Sequence, residues 1–267
     1  MIITNFKKLA KNDLRKKALQ IVEAGYEAID IKRIVSERIN LDGNILEVRP
    51  PKIGSINIGE VESPLKLNLD NFKRVFVIGI GKGSALASVN LARILSKRLS
   101  GGITLDISMP KSKIQNPKFK VLMGAHPLPS KQNVIATQKI IKLAKNLTKD
   151  DLLITFICGG GSALLCDSEK EMKNSILVTK LLTQTGANII ELNTARKHLS
   201  GIKGGGLVRL AYPANVISLI ISDVAGNDLS VIASGPTVLD KTTKKDAITS
   251  AAATSNFNMT VLLKKDP

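Results

Sequence analysis

Two glycine-rich turns contain the residue types that could hold a phosphate group. The first is Gly79-Ile80-Gly81-Lys82-Gly83-Ser84, and the second is Gly159-Gly160-Gly161-Ser162. Glycine allows main-chain N–H groups to approach an anion closely, and a lysine within a turn adds a mobile positive charge. We therefore predict that Lys82 is a catalytic cation and that phosphate contacts come from Gly81, Gly83, Ser84, Gly159, Gly160, Gly161 and Ser162.

The first turn matches neither of two common phosphate-binding motifs. A P-loop requires Ser or Thr directly after the lysine, where this chain has Gly83, and a dinucleotide fingerprint requires glycine where it has Ser84. A tight strand-to-helix turn with a solvated lysine is therefore an equal alternative. The second turn is the stronger signal, because the conformational entropy that three consecutive glycines cost is easier to explain where a ligand touches the main chain.

Cationic and polar side chains that could bind an anionic substrate lie in two further segments. His126 precedes a proline, and Asn193, Arg196 and Lys197 belong to one segment in which Asn193 and Lys197 would share a helix face. Arginine and lysine clamps stabilise phosphoryl transfer, which depends on positioning and charge. We predict these four residues as substrate-binding, while a structural, hydrogen-bonded histidine is the ordinary alternative for His126.

Two carboxylates follow an apolar run near the end of the chain. Asp223 and Asp228 lie in Ser222-Asp223-Val224-Ala225-Gly226-Asn227-Asp228. Carboxylates suit Mg²⁺ coordination or the acceptance of a hydroxyl proton. We predict Asp223 as catalytic and both residues as metal ligands. The alternative is a simple turn, for which Asp, Gly and Asn are typical.

The elements that would position these residues alternate between strands and helices. Continuous apolar runs predict strands over 75–78, 103–107, 120–123, 152–157 and 216–221, and periodic segments predict helices over 85–99, 131–147, 170–184 and 189–199. This alternation predicts an α/β fold with a mostly parallel sheet, in which ligands bind outside the carboxyl ends of the strands. Helices are predicted over residues 1–40, and short strands and loops over 41–69.

Composition narrows the classes of function. The 267 residues carry a formal net charge of +17, yet they include no Trp, two Tyr and six Phe, so aromatic platforms for single-stranded nucleic acid are scarce. A basic nucleic-acid-binding module therefore remains only an alternative to attraction of a small anionic substrate. The sequence shows no secretory signal and no apolar run long enough to span a membrane, and it predicts a cytoplasmic protein with two buried, inert thiols, Cys158 and Cys166.

Five motifs taken together resemble the class II glycerate kinases, also called the glycerate 2-kinase or MOFRL family. They are the two glycine turns, the Gly124-Ala125-His126-Pro127 segment, the Asn193-to-Ser200 segment and the Ser222-Asp223 segment with the Pro236-Thr237 pair, and they occur in this order. The resemblance implies a Rossmann-like three-layer sandwich. It also implies ATP-dependent phosphorylation of D-glycerate to 2-phosphoglycerate with Mg²⁺.

The resemblance also implies a particular organisation of the chain. Residues 1–40 would be N-terminal helices that complete one Rossmann-like domain over 41–267, and the family's C-terminal closing domain would be absent. Expected partners are that domain or a complementary chain, with a homodimer left open. An NAD(P)H-dependent hydroxypyruvate reductase, a label that some members carry, is the alternative enzyme. It rests on the near match of the first glycine turn to a dinucleotide fingerprint and on Asp106, which could imitate a ribose-binding carboxylate.

Overall fold

The computed structural model describes residues 2–50, 63–110 and 116–254. Its α-helices are α1 (Phe6–Leu9), α2 (Asp13–Ala28), α3 (Ile31–Arg38), α4 (Ser84–Leu95), α5 (Lys131–Lys145), α6 (Gly161–Leu164), α7 (Glu169–Gln184), α8 (Ile189–Leu199), α9 (Gly206–Ala211) and α10 (Lys244–Thr254). Its strands are β1 (Ile39–Asp42), β2 (Ile45–Val48), β3 (Leu65–Asn68), β4 (Arg74–Ile80), β5 (Leu99–Asp106), β6 (Phe119–Met123), β7 (Asp151–Cys158) and β8 (Asn215–Ile221).

The central sheet is parallel, with the strand order β6-β5-β4-β7-β8. In its register, Ile78 of β4 pairs with Ile103 of β5 on one side and with Thr155 of β7 on the other. Every residue of β7 is buried, as expected for a strand covered on both faces. The predicted α/β fold with a mostly parallel sheet is therefore confirmed.

Two hydrophobic clusters on opposite faces of the sheet make the fold three-layered. Ile78 and Ile80 pack with Ile140 of α5 on one face, whereas Val75 and Val77 pack with Leu91 of α4 on the other. This division follows from the two-residue period of a strand, which sends successive side chains to opposite faces. A third cluster joins α7, α8 and α10.

The predicted boundary between helix α4 and strand β5 was wrong. Helix α4 ends at Leu95, because Ser96 adopts φ +47°, and β5 begins at Leu99 instead of residue 103. Gly101 and Gly102, which precede the predicted strand, lie within β5. A Cβ on Gly102 would come within 2.5 Å of the Val77 carbonyl oxygen, so close packing explains this glycine.

A small antiparallel sheet, β1-β2-β3, accounts for the predicted short strands after residue 40. The part of that prediction at 51–62 and the predicted domain end at 267 lie outside the described residues. Strand β1 crosses position 40, and the division of the chain at that position stays a prediction. Among the described residues, no helix combines the length and the apolar character that crossing a membrane requires.

Candidate active site

The predicted site residues follow strands that end at the same edge of the sheet. Neighbouring strands β4 and β7 lead into the two glycine turns, β6 leads towards His126, and β8 leads to Asp223. Between β4 and β7 the strand order reverses, since the chain runs outward to β6 and then returns to the other side of β4. Ligands of doubly wound sheets bind at such a switch point.

The first glycine turn uses most of its main-chain donors inside the protein. The N–H groups of Gly81 and Lys82 donate to the carbonyls of Leu105 (3.1 Å) and Gly159 (2.9 Å), and the N–H of Ser84 donates to Gly81 (3.2 Å). A Cβ on Gly81, whose φ is +108°, would lie 2.3 Å from the Cys158 carbonyl oxygen. This turn is therefore closed against β7.

The buried carboxylate of Asp106 completes this closure. It accepts the N–H groups of Ala85 (2.9 Å) and Ile107 (2.6 Å), and it thereby occupies the N-terminus of α4. The side chain of Ser84 is fully buried and donates to the Leu105 carbonyl (3.4 Å). The N–H groups of Gly81 and Ser84 therefore do not serve as the predicted phosphate donors. Among the described residues no hydrogen bond uses the N–H of Gly83, and its phosphate contact stays a prediction. A ribose-binding role for Asp106 is not supported, because its carboxylate accepts main-chain N–H groups.

The second glycine turn is open. Among the hydrogen bonds formed by the described residues, none uses the N–H of Gly160, Gly161 or Ser162 as donor. Gly160 adopts φ +81°, and a Cβ there would lie 2.8 Å from Lys82 Cε and 3.2 Å from His126 Nε2. The Lys82 and His126 side chains therefore lie over the turn whose donors remain free.

A cavity of about 390 Å³ opens beside this turn. Its wall includes His126, Gly159, Gly160, Ser162, Asn193, Arg196 and Asp223, together with apolar residues of α8 and of the segment 231–233. The carboxylate of Asp223 lies directly against Gly159, because a Cβ on that glycine would be 1.8 Å from Asp223 Oδ2. The structure thus brings seven of the predicted site residues into one wall, with Lys82 over it.

Arg196 is the most confined cation of this wall. Its guanidinium donates to Thr179 Oγ1 (3.1 Å), and no carboxylate among the described residues pairs with it. Burial lowers the pKa of Arg196 from its ordinary value. The guanidinium group of arginine nevertheless keeps its charge in proteins. A confined cation without an acidic partner is suited to bind an anion.

Burial and neighbouring charges shift the pKa values of His126, Cys158 and Cys166. Loss of water contact lowers the pKa of His126, and the positive charges of Lys82 and Arg196 lower it further, so neutral imidazole is favoured. Burial raises the pKa of Cys158 to about 12, with help from Asp106 and Asp223, and burial raises that of Cys166 to about 12 as well. Both cysteines are buried, and their thiols are protonated at neutral pH.

Two predicted site residues lie elsewhere. Lys197 is buried and forms an ion pair with Asp240, whose Oδ1 is 2.6 Å from Lys197 Nζ, so it does not line the cavity. Asp228 also lies outside the wall, and its carboxylate accepts the Ser230 N–H (2.8 Å). The predicted substrate contact from Lys197 and the metal ligand at Asp228 are therefore not brought to the site.

The described residues contain no group of three or more His, Cys, Asp or Glu side chains that could hold a metal ion by themselves. Asp223 is the carboxylate of the cavity wall. Mg²⁺ in nucleotide sites is commonly held by one or two carboxylates together with substrate phosphates. Asp223 alone therefore fits a magnesium ion that arrives with a nucleotide.

Sequence reasoning missed one residue of the site, Ser234. Its Oγ lies 2.8 Å from Ser162 Oγ and 3.3 Å from Asn193 Oδ1. The preceding residue, Ala233, lines the cavity, and both residues adopt positive φ, +53° and +59°. The Ser234-Gly235-Pro236-Thr237 sequence indicates a turn, but nothing in it reveals this contact.

Residues 17–261 match the protein family described as "Domain of unknown function (DUF4147)". The chain belongs to this family.

The relatives of this DUF4147 chain include proteins named as kinases. It is 30% identical over 237 residues to the D-glycerate 2-kinase of Thermotoga maritima, covering 88% of this chain and 50% of that protein. It is 36% identical over 242 residues to the glycerate kinase of Bos taurus, covering 84% and 43%. A protein of Agrobacterium vitis provisionally named hydroxypyruvate reductase is 42% identical over 176 residues, covering 65% and 45%.

The crystal structure of glycerate kinase from Thermotoga maritima resembles the DUF4147 fold described above. The TM-score is 0.70 at 28% identity, and the match covers 90% of this chain and 51% of the other. The chain spans about half the length of the curated relatives it matches. These matches fit the class II glycerate kinase family indicated by the motifs.

Proposed function

We propose that this chain carries the nucleotide- and substrate-binding half of an enzyme that phosphorylates D-glycerate at its 2-hydroxyl from ATP. One observation carries the proposal. Among the described residues, the N–H groups of Gly160, Gly161 and Ser162 have no protein acceptor, and the cations Lys82 and Arg196 have no acidic partner. These groups lie at one glycine turn and at the cavity beside it, whose wall also contains the Asp223 carboxylate. The kinase names of relatives that match most of this chain support the same reaction.

In this proposal the open turn holds the phosphates of the nucleotide. The N–H groups of Gly160, Gly161 and Ser162 donate to phosphate oxygens, and the Lys82 ammonium neutralises charge that develops on the transferring group. Because the N–H groups of Gly81, Lys82 and Ser84 are bonded inside the protein, the main contribution of the first turn is the lysine side chain. Mg²⁺ bound through Asp223 would supply charge neutralisation on the phosphates.

In this proposal the substrate binds at the part of the cavity wall that α8 forms. Arg196 binds the glycerate carboxylate, and Asn193 lies beside it on the same helix. The 2-hydroxyl oxygen attacks the γ-phosphorus as the bond to the bridging oxygen of ADP breaks. Asp223 steers the attacking hydroxyl and accepts its proton. The neutral imidazole of His126 can then hydrogen-bond the transferred group without adding a competing charge.

The test is an ADP-release assay with D-glycerate and MgATP. Enolase added to the reaction identifies the product, because it acts on 2-phosphoglycerate and not on 3-phosphoglycerate. Since the chain spans about half of its relatives, the assay is run on this chain alone and on a version extended with the remaining half of a relative. No ADP release from the extended protein would refute the proposal.

Lys82→Ala supplies the residue-level test. We expect its rate to fall by about 10²-fold, comparable to the loss of one transition-state donor. Lys139→Ala is the matched control, because Lys139 is an exposed lysine of α5 outside the cavity wall, and its rate should be that of the unmodified protein. Equal rates for the two variants would exclude Lys82 from the reaction.

The two alternatives give different results in binding experiments. Saturable binding of NADH but not of ATP would favour the reductase, a name that a relative carries. Retention on DNA that falls steeply with salt, without any effect of ATP or glycerate on the melting temperature, would favour a nucleic-acid-binding module.

A further inference from the structure

Ser234 is a fully buried serine held in a conformation that serine rarely adopts. It ends the short 3-10 helix Ile232–Ser234, and both Ala233 and Ser234 have positive φ. Non-glycine residues in this region carry backbone strain that the surrounding structure must maintain. Strain of this kind clusters at functional sites, and here it adjoins the cavity wall.

The surrounding main chain holds Ser234 in place. The carbonyl of Ser234 accepts the N–H of Gly204 (2.9 Å), and the carbonyl of Gly235 accepts the N–H of Gly205 (2.8 Å). The Ser234 N–H donates to the Val231 carbonyl (3.0 Å). The hydroxyl is therefore carried by backbone that is bonded on three sides, and it has a fixed position beneath the open turn.

The hydrogen bonds that the Ser234 hydroxyl forms determine where the Ser162 hydroxyl can donate. Ser234 Oγ has one hydrogen and two oxygen neighbours, Ser162 Oγ at 2.8 Å and Asn193 Oδ1 at 3.3 Å. When Ser234 donates to Asn193, Ser162 is free to donate to Ser234. When Ser234 donates to Ser162, the Ser162 hydrogen is directed away from Ser234, towards the cavity that Ser162 lines.

We infer that Ser234 is a positioning residue that orients the Ser162 hydroxyl as a donor to a nucleotide phosphate, an inference that rests on the proposed function. An anion in the cavity draws the Ser162 hydrogen towards itself, and Ser234 then reverses its own hydrogen to support Ser162. Asn193 loses that donor at the same moment, and its amide nitrogen keeps its contact with the Val231 carbonyl (3.4 Å). The buried serine thus lets one hydroxyl of the wall serve the ligand without leaving a polar oxygen unpaired at Ser162.

The experiment measures the affinity of the full chain for mant-ADP with Mg²⁺, together with the melting temperature. Ser234→Ala removes only the hydroxyl, and Ala233 shows that alanine is accommodated at positive φ in this segment. Ser234→Gly also removes the hydroxyl, and glycine adopts a positive φ without strain. This variant therefore tests the loss of the hydroxyl without backbone strain at position 234. Ser162→Ala removes the proposed donor itself.

Ser88→Ala is the matched control. Ser88 is fully buried like Ser234, but its hydroxyl has no hydrogen-bond partner within the part of the chain that the structure describes. We expect an affinity about tenfold weaker for Ser162→Ala and for both Ser234 variants, the loss of roughly one hydrogen bond to a charged group. Ser88→Ala should bind as the unmodified chain does.

The double variant Ser162→Ala/Ser234→Ala separates positioning from general stability. If Ser234 acts through Ser162, the double variant binds no more weakly than Ser162→Ala alone. Additive losses, or Ser234 variants that bind with unchanged affinity, would overturn the inference. An unmodified chain that binds no mant-ADP would instead refute the proposed function, so the two failures are distinguishable.

Discussion

Replacing Gly159 with alanine tests the position of Asp223 without touching Asp223 itself. The φ of Gly159 lies outside the left-handed region, so alanine suits the backbone there. Its Cβ, however, would be 1.8 Å from Asp223 Oδ2 and 2.3 Å from Asp223 Cγ. Restoring an ordinary contact of 3.4 Å requires the carboxylate to retreat by about 1.6 Å.

A displacement of this size should abolish most of the proposed activity while sparing the fold. Misplacing a reacting group by about 1 Å can cost on the order of 10²-fold in rate. Asp223 is an exposed side chain, so its rotation away from Gly159 should cost little stability. We therefore expect Gly159→Ala and Asp223→Ala each to lower kcat/KM in the ADP-release assay by about 10²-fold and to weaken the effect of Mg²⁺ on nucleotide affinity.

Gly25→Ala is the control for this substitution. A Cβ on Gly25 meets nothing within 4 Å, and this glycine lies inside α2. The same chemical change should stabilise the helix by about 1 kcal/mol and leave the rate unchanged. If Gly159→Ala keeps the rate of Gly25→Ala, Asp223 does not act from the position described here.

Two further predictions concern buried charges away from the cavity. Lys203 Nζ lies 2.5 Å from Glu171 Oε1, and both side chains are buried, so Lys203→Met leaves an uncompensated carboxylate. We expect Lys203→Met to lower the free energy of unfolding, measured in urea, by about 3–5 kcal/mol. The double variant Glu171→Gln/Lys203→Met should regain much of that loss. A double variant no more stable than Lys203→Met would contradict this account. Burial lowers the pKa of His198, beside Asp240 and Lys197, so the unfolded chain binds more protons in the window between the two pKa values. The stability that depends on a neutral His198 should be fully present above about pH 6.5 and should decline as the pH falls below that value. The melting temperature of His198→Gln should therefore depend less on pH than that of the unmodified chain. An unchanged pH dependence would show that His198 is not responsible.

The strands of the central sheet could be predicted from the sequence, because a strand that is buried on both faces appears as a continuous run of apolar residues. The runs at 152–157 and 216–221 predict β7 and β8 to within one residue at each end. The start of β5 could not be predicted in this way. Gly102 is explained by the Phe119 ring and the Val77 carbonyl, and Gly101 lies against the Lys118 carbonyl. These neighbours meet the two glycines only in the folded sheet.

The same distinction applies to the candidate site. Glycines and charged residues after apolar runs predict which loops meet, because the carboxyl ends of parallel strands share one edge. Which donors remain free is decided by tertiary partners: the N–H of Lys82 is taken by Gly159, and Lys197 by Asp240, 43 residues away along the chain. No local pattern encodes these pairings, and the role of Ser234 depends on a φ angle that serine rarely adopts.

The closed state of the first glycine turn has a consequence for reading such motifs in related chains. This turn combines spaced glycines with a lysine, whereas Gly159-Gly160-Gly161-Ser162 contains no charged residue. The Asp106 carboxylate nevertheless occupies the N-terminus of the helix that follows the first turn, whereas the N–H groups of Gly160, Gly161 and Ser162 have no acceptor among the described residues. Grafting the first turn into another protein would transfer a charged side chain but no anion receptor, and the two loops are not interchangeable parts.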